Sequence, residues 1–270
     1  MVMVVGRWLQ QWRARREAAA VQRRAIPDDL WKRTLVRYPF LRRSDEAAAA
    51  ELRRLTSLFL DRKEFSAVGG LRLQDAMVVA IAAQAVLPVL RLGLQVYNGF
   101  VGIVVTPEEV RTTRSITDED GVVHEFEDEL HGESVPGGPM MLSWRHVRGI
   151  GVAAEQTAYN VVIHEFAHVI DMGNGAIDGV PLLPPEIGGS EWQATLGQAY
   201  DDFVRRVDAE EPTVIDPYGA EAPEEFFGVA CEAFFVEPWR MRDEHTALYA
   251  LFVRYFKQDP AAECPTSGRR

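Results

Sequence analysis

The feature that most restricts the fold is an apolar run, residues 161–170, that contains two histidines and one glutamate. It reads Val-Val-Ile-His-Glu-Phe-Ala-His-Val-Ile, with no proline and no other charged residue. A run this apolar is expected to be buried, and buried imidazole and carboxylate groups need partners inside the protein. The pattern from Thr157 to Met172 predicts a helix that ends at the following Gly-Asn-Gly segment. The chain therefore has to fold around a buried helix whose polar groups are satisfied.

The two histidines, His164 and His168, are spaced to bind one metal ion. Residues at i and i+4 lie one turn apart on the same helix face, so both imidazoles can reach one zinc ion at about 2 Å. Glu165 lies beside them, where it would take a proton from the attacking water. The alternative is a pair of core histidines satisfied by other groups, with Glu165 in an ion pair. Three such groups within so apolar a run favour the metal site.

Asp171 lies on the same helix face, three residues after His168. It is seven residues from His164, a rise of about 10 Å, which is too far for all three side chains to bind one ion. Two roles remain open for it. It would accept a hydrogen bond from a ligand histidine, or it would end the helix and be held by loop amides.

A third metal ligand should come from a later part of the chain, because a catalytic zinc ion has three protein ligands and one open position. The candidates are Glu221, Glu224, Glu225 and Glu232. Pro223 suits the first position of a helix, and Glu224 just after it is explained by the helix dipole. Glu225 shares with Glu232 a face that carries two valines, and a buried carboxylate there needs a cation or several donors.

The remaining pattern predicts an α+β fold in which helices dominate and the strands cluster in the middle of the chain. The predicted helices are 28–62, Leu73–Leu92, Thr157–Met172, Trp192–Val207, Pro223–Phe235 and Glu244–Phe256. The predicted strands lie within Leu94–Thr106 and at Met140–Trp144. Residues 108–133 carry ten acidic side chains and two arginines, and they predict a solvated hairpin with Asp120-Gly121 as its turn.

The chain is expected to divide into an N-terminal arm, residues 1–27, which Pro27 closes, a single domain, residues 28–257, and a tail, residues 258–270. Residues 1–24 carry six arginines against one glutamate, although the whole chain has a net charge of −11. An acidic chain lacks the basic face that binds nucleic acid directly, so we expect no nucleic-acid partner.

The location expected for this chain is the cytoplasm. Two cysteines are too few for a disulfide framework, which favours a reducing compartment. The most apolar stretch, Ala76 to Leu90, is about 15 residues long and falls short of the roughly 20 residues of a membrane span. The arginine-rich arm is expected to dock on its own domain, and association with a membrane surface is the weaker alternative.

In combination, these motifs resemble the gluzincin arrangement of the Mlc titration factor A family of bacterial metallopeptidases. The central similarity is His164 to His168 followed by Tyr218 and Glu225, which are seven residues apart. Further segments similar to that family are Gly70–Asp75, Ile81–Ala85, Leu92–Leu94, Gly121–Glu125, Leu142–Trp144 and Asp178–Pro181. The similarity extends over residues 28–257, and the combination of segments makes it specific.

The resemblance implies a zincin-like fold, mostly helical with a small mixed sheet, akin to the catalytic domain of anthrax lethal factor. It implies that His164, His168 and Glu225 bind Zn2+, that Glu165 is the general base and that Tyr218 stabilises the oxyanion. It also implies aminopeptidase-like cleavage of a peptide or protein substrate, and a transcriptional repressor of the Mlc type as a partner.

Two details of this site can be predicted further. Glu225 and Glu232 are about 10 Å apart along one helix, so only one can bind the metal. Glu225 is expected to bind it, because it begins the helix where a cleft can open, whereas Glu232 is expected to make a structural or supporting hydrogen bond. The strand Met140–Ser143 is expected to pair with an extended substrate.

The main rival to a peptidase is a protein that sequesters a regulator and has a weakly active or vestigial metal site. A purely structural zinc site needs no base, so the presence of Glu165 favours the enzyme.

Overall fold

The structure, a computed structural model, describes most of the chain. The backbone is described for residues 2–108, 110–117, 123–130, 132–134, 138–149, 151–152 and 157–263, and the side chains for residues 11–108, 138–149 and 157–263.

Helices dominate these residues, with a small sheet between them. The helices are α1 (Val2–Arg23), α2 (Asp28–Arg37), α3 (Glu46–Arg62), α4 (Asp75–Val86), α5 (Trp144–Arg148), α6 (Val161–Asp171), α7 (Gly189–Asp208), α8 (Pro223–Val236), α9 (Pro238–Glu244), α10 (Thr246–Phe256) and α11 (Pro260–Glu263). The strands are β1 (Glu64–Ala67), β2 (Gly102–Thr106), β3 (Val110–Thr117), β4 (Val123–Leu130), β5 (Gly132–Ser134), β6 (Met140–Ser143), β7 (Gly151–Val152) and β8 (Ala158–Tyr159). The predicted α+β class is therefore confirmed.

The main sheet has four strands in the order β1-β2-β6-β5. The first three are parallel, and β5 is antiparallel to β6. The predicted strand Met140–Trp144 forms as far as Ser143, but it lies inside the sheet, with β2 on one side and β5 on the other. Its backbone groups are already paired, so the prediction that it pairs with a substrate is wrong.

Several predicted elements are shorter or different in the structure. The helix predicted for 28–62 is interrupted between Arg37 and Glu46, because Pro39 disfavours a helical Tyr38 and begins a short 3-10 turn. The helix predicted for Leu73–Leu92 ends at Val86. Pro88, two residues later, has no backbone N–H with which to continue it.

The segment Leu94–Tyr97, predicted as strand, is a 3-10 helix, and only Gly102–Thr106 in that region is extended. The Tyr97 hydroxyl donates a hydrogen bond to the Ala85 carbonyl over 2.9 Å, and the Tyr97 side chain is buried. This tertiary contact overrides the strand preference of the segment.

Strands β3 and β4 pair in antiparallel register from Val110–Leu130 to Thr117–Val123, which confirms the strands of the predicted hairpin. Its predicted turn, Asp120-Gly121, lies outside the described residues, as does Cys264.

Helix α1 packs on α3 through charged side chains. Glu17 lies 3.3 Å from Arg54 and 3.5 Å from Arg62, and Arg23 lies 3.1 Å from Asp61. The arm therefore docks on the chain's own helices, as expected. Over the described residues, none of the helices combines the length and the apolar composition needed to span a bilayer.

Candidate metal centre

Helix α6 is held in place by a capping hydrogen bond at its N-terminus and by aromatic packing on its apolar face. The Asn160 side chain caps the helix by accepting a hydrogen bond from the Ile163 amide over 3.0 Å. Phe166 packs against Tyr97 and Phe59, with ring centroids 4.8 and 5.7 Å apart. The predicted helix forms and carries both histidines, but it begins at Val161 and not at Thr157, because Ala158 and Tyr159 are extended in strand β8 and Asn160 is the N-cap.

The packing of α8 against α6 brings Glu225 to the two histidines. The Glu225 Oε2 atom lies 3.1 Å from His164 Nε2 and 3.5 Å from His168 Nε2. The two Nε2 atoms lie 3.1 Å apart. Ligand atoms about 2.0–2.1 Å from one tetrahedral zinc ion are separated by about 3.3 Å, so these three atoms have the spacing that such an ion requires.

The chemistry of these atoms also fits a cation. His164 Nδ1 lies 2.8 Å from Glu232 Oε1, and donation to this carboxylate leaves the lone pair on Nε2. That lone pair faces a carboxylate oxygen and a second imidazole nitrogen. Electron-rich atoms this close repel one another unless a proton or a metal ion lies between them. Two imidazoles and one carboxylate form a common donor set for zinc.

Without a metal ion, protons are drawn into this cluster. Burial opposes protonation of His164, but the hydrogen bonds with Glu225 and Glu232 outweigh it and raise the His164 pKa well above its usual value. Burial alone would raise the pKa of Glu225, yet its hydrogen bonds with His164 and His168 bring that pKa well below its usual range. Metal binding would therefore have to displace a proton.

Glu165 is buried beside the ligand cluster but is not one of its three members. Burial raises the pKa of its carboxyl group, and the nearby charges of His164 and His168 partly oppose the increase. A carboxylate with a raised pKa is a better proton acceptor than an exposed one.

Tyr218 lies at the open side of the cluster. Its ring centroid is 6.1 Å from that of His164, and 45% of the residue is exposed. It belongs to a 3-10 turn, Pro217–Ala220, in which the Asp216 carboxylate accepts a hydrogen bond from the Tyr218 amide. The next residue must be glycine, because a Cβ atom on Gly219 would lie 2.5 Å from Val229 Cγ2. The turn therefore sits directly on α8, which carries Glu225.

The other glutamate candidates lie elsewhere. Glu221 is exposed, Glu224 is half-buried, and both lie outside the cluster. Glu232 is buried, and its carboxylate accepts hydrogen bonds from His164 Nδ1 and from the Asn160 amide. The supporting hydrogen bond predicted for Glu232 is confirmed.

Gly228 is a site residue that the sequence analysis missed. A Cβ atom at this position would lie 2.8 Å from Cε1 and 2.9 Å from Nδ1 of His164. The glycine lets the His164 imidazole pack directly against α8. The available signal was a glycine inside an otherwise apolar helix, which often indicates close approach of another group.

Asp171 accepts a hydrogen bond from the Gly179 amide over 2.8 Å. Of the two roles predicted for Asp171, this contact is the one in which a loop amide holds the carboxylate, and it involves one of the two carboxylate oxygens. Burial raises the pKa of Asp171 to about 6, and the Gly179 amide and the charge of His168 partly oppose that increase.

The chain is similar to known proteins along most of its length. The family model described as glucose-regulated metallo-peptidase M90 matches residues 9–257. A protein of Synechocystis described as uncharacterized is 35% identical over 256 residues, which is 94% of this chain and 92% of the relative. Mlc titration factor A of Klebsiella pneumoniae is 31% identical over 242 residues, 88% of this chain and 89% of the relative. Mlc titration factor A of Pectobacterium atrosepticum is 31% identical over 227 residues, 83% of this chain and 84% of the relative.

Both the family model and these relatives span most of the chain, and the matched region includes every residue of the ligand cluster. The resemblance inferred from the motifs is therefore confirmed, and the chain belongs to the glucose-regulated metallo-peptidase M90 family.

Proposed function

We propose that the protein is a zinc-dependent peptidase in which His164, His168 and Glu225 hold the metal ion. The observation that carries the proposal is the convergence of three ligand atoms, from two separate helices, to within 3.5 Å of one another beside the buried Glu165. Membership of a metallopeptidase family implies a metal ion, and the donor set makes zinc the best candidate.

Two side chains beside the cluster, Glu165 and Tyr218, would carry out proton transfer and stabilisation of the developing negative charge. A bound zinc ion would polarise the substrate carbonyl and make a water molecule more acidic. Glu165 would accept the proton that this water loses as it attacks the carbonyl carbon, and would then donate that proton to the leaving amine. The Tyr218 hydroxyl would donate a hydrogen bond to the carbonyl oxygen as that oxygen gains negative charge.

An extended peptide would bind along the edge of the sheet. Strand β5 (Gly132–Ser134) is the outer neighbour of β6, and α6 packs against it. Within the described residues its other edge pairs with no strand, so its backbone groups can bind a peptide by strand addition. We place the substrate here instead of on Met140–Ser143.

Several finer features belong to the same proposal. They are a gluzincin-type, zincin-like fold akin to the catalytic domain of anthrax lethal factor, aminopeptidase-like specificity, a cytoplasmic location, and the division into residues 1–27, 28–257 and 258–270. The gluzincin type is supported by the arrangement of Tyr218 and Glu225 around His164.

A second candidate function is binding of a transcriptional repressor of the Mlc type. It is favoured by one observation, the name Mlc titration factor A of relatives that cover most of this chain. The two functions are compatible, because the repressor could bind outside the ligand cluster. Binding of purified repressor with and without a chelator would show whether the metal site takes part.

Elemental analysis of the purified protein, combined with a peptidase assay, tests the main proposal. We expect about one zinc ion per chain, loss of activity after chelation, and recovery when zinc is added back. A full-length protein that cleaves peptides equally well with and without metal would contradict the proposal.

A further inference from the structure

Asp171, the last residue of α6, has a fully buried carboxylate that is only half satisfied. Its Oδ2 atom accepts the hydrogen bond from the Gly179 amide. Its Oδ1 atom is buried and has no hydrogen-bond partner among the described residues. A buried carboxylate oxygen without a donor is unfavourable, so this atom calls for a partner.

A matching donor lies one turn away on the same helix. His168 Nδ1 is also buried and lacks a hydrogen-bond partner among the described residues. His168 presents its other ring nitrogen, Nε2, to the ligand cluster. When Nε2 uses its lone pair to bind a metal ion, a neutral imidazole carries its proton on Nδ1 and needs an acceptor there. His164 already has such an acceptor in Glu232, at 2.8 Å.

The Oδ2 atom of Asp171 connects α6 to the start of α8 through Gly179. The Gly179 carbonyl accepts a hydrogen bond from Trp192 Nε1 over 2.9 Å, so both of its backbone groups are held. Its φ angle is +76°, and a Cβ atom there would lie 3.0 Å from the carbonyl oxygen of Pro223. Pro223 is the first residue of α8 and precedes the ligand Glu225 by two positions.

We propose that Asp171 is a positioning residue for both halves of the metal site. In the structure, Asp171 Oδ1 and His168 Nδ1 are not hydrogen-bonded to each other. When His168 Nε2 binds the metal ion, Asp171 Oδ1 accepts a hydrogen bond from His168 Nδ1 and so orients Nε2 toward the ion, while Asp171 Oδ2 holds Gly179 against the start of α8. The inference rests on the proposed metal site, since without a metal ion His168 needs no fixed orientation.

Substitution of Asp171 by asparagine tests this with little change in shape. A carboxylate offers two acceptors, whereas an amide offers one acceptor and one donor. Whichever way the amide turns, its NH2 group faces either the Gly179 N–H or the His168 Nδ1–H. We expect Asp171→Asn to bind zinc about 10- to 100-fold more weakly in competition with a chromophoric chelator. The visible absorption spectrum of its cobalt-substituted form should also differ from that of the wild type.

Asp208→Asn is the matched control. Asp208 is exposed at the C-terminal end of α7 and takes no part in the hydrogen bonds of Asp171 or of the ligand cluster. It makes the same change from carboxylate to amide, so zinc affinity and the cobalt spectrum should stay at wild-type values. Titrations are run well below the unfolding temperature of each metal-free variant, so that a loss of affinity reflects orientation and not unfolding.

Proton NMR of the zinc-loaded wild type provides a measurement that needs no variant. We expect His168 to carry a proton on Nδ1, shifted downfield by the carboxylate, and to bind metal through Nε2. Metal bound through Nδ1 would overturn the inference.

Two further outcomes separate this inference from the proposed function. If the wild type binds zinc and Glu225→Ala abolishes binding, but Asp171→Asn matches the wild type, this inference alone is overturned. If the wild type binds no zinc, the proposed function fails and the inference fails with it.

Discussion

His164 is held at both ring nitrogens, and this distinguishes it from a histidine that fills a core. Nδ1 contacts Glu232 at 2.8 Å, and Nε2 faces Glu225 at 3.1 Å. The two glutamates therefore have different tasks, although they lie on one helix. Glu225 is partly exposed at the open end of α8, and Glu232 is buried beneath the ring.

This division predicts different effects of removing the two glutamates. Glu225→Ala should abolish tight zinc binding, because one of three ligands is lost. Glu232→Ala should chiefly lower stability, by about 1–3 kcal/mol, because the Asn160 amide and His164 Nδ1 lose their buried acceptor. Zinc titration and thermal unfolding of both variants measure the two effects. Zinc binding that survives Glu225→Ala unchanged would contradict the ligand assignment.

The role of Glu165 predicts loss of catalysis without loss of metal. Glu165→Gln should keep zinc and remove most peptidase activity, about 10²- to 10⁴-fold, because the amide cannot accept the proton. Glu221→Gln, a change at an exposed glutamate outside the ligand cluster, is the matched control and should retain full activity. Normal turnover by the Glu165 variant would refute the proposed mechanism.

Tyr218 is predicted to act only as charge develops on the substrate. Tyr218→Phe should leave zinc binding intact and lower kcat by about 10²-fold, the effect of one lost oxyanion donor. Tyr200→Phe is the control, since the Tyr200 hydroxyl donates to the Ala220 carbonyl in the same turn over 3.2 Å and should not affect kcat. A raised KM with unchanged kcat would show instead that Tyr218 only shapes the cleft.

At the scale of elements, the site depends on how closely α6 and α8 approach. The approach is possible because Gly228 has no side chain where the His164 ring lies, and Gly219 has none where the Tyr218 turn meets Val229. Two glycines thus set the distance between the histidines, the third ligand and the tyrosine. Neither glycine carries chemistry of its own.

A larger residue at the helix contact should therefore disturb the metal site. Gly228→Val should force the His164 ring away from α8, weaken zinc binding and lower stability by about 1–3 kcal/mol, the usual effect of overpacking. Gly197→Val in α7 is the control, because a Cβ atom at Gly197 meets nothing within 4 Å. Zinc affinity measured for both variants distinguishes a steric effect from loss of helix propensity. Equal affinities would show that the helices adjust without harm to the site.

At the scale of the whole molecule, the two helices meet only in the folded state, so metal binding and folding are coupled. An unfolded chain does not bring His164 and Glu225, 61 residues apart, to one ion. Zinc that binds only the folded protein stabilises it by about 2.7 kcal/mol at a free concentration of 100 Kd. The melting temperature should rise on adding zinc and fall on chelation, which thermal unfolding at several zinc concentrations would measure. A melting temperature that does not depend on zinc would contradict this coupling.

Local periodicity by itself determined that a helix carries both histidines, because a spacing of four residues places two side chains on one face wherever the helix lies. It placed the start of this helix at Thr157, whereas the structure begins it at Val161. The same reasoning identified Glu165 as a neighbour and the α+β class. The family resemblance added Tyr218, and it selected Glu225, which local pattern had left among several candidates.

Only the tertiary structure decided the relations between distant residues. The packing of α8 on α6 gave Glu225 and Glu232 their separate partners. The pairing of β5 with β6 occupied the backbone groups of the strand that was expected to bind substrate. The Tyr97 hydroxyl, bound to the Ala85 carbonyl, stabilised a 3-10 turn where side-chain preference predicted a strand. The physical reason is the same in each case. Hydrogen-bond partners and steric contacts between residues far apart in sequence depend on packing, which no local spacing encodes.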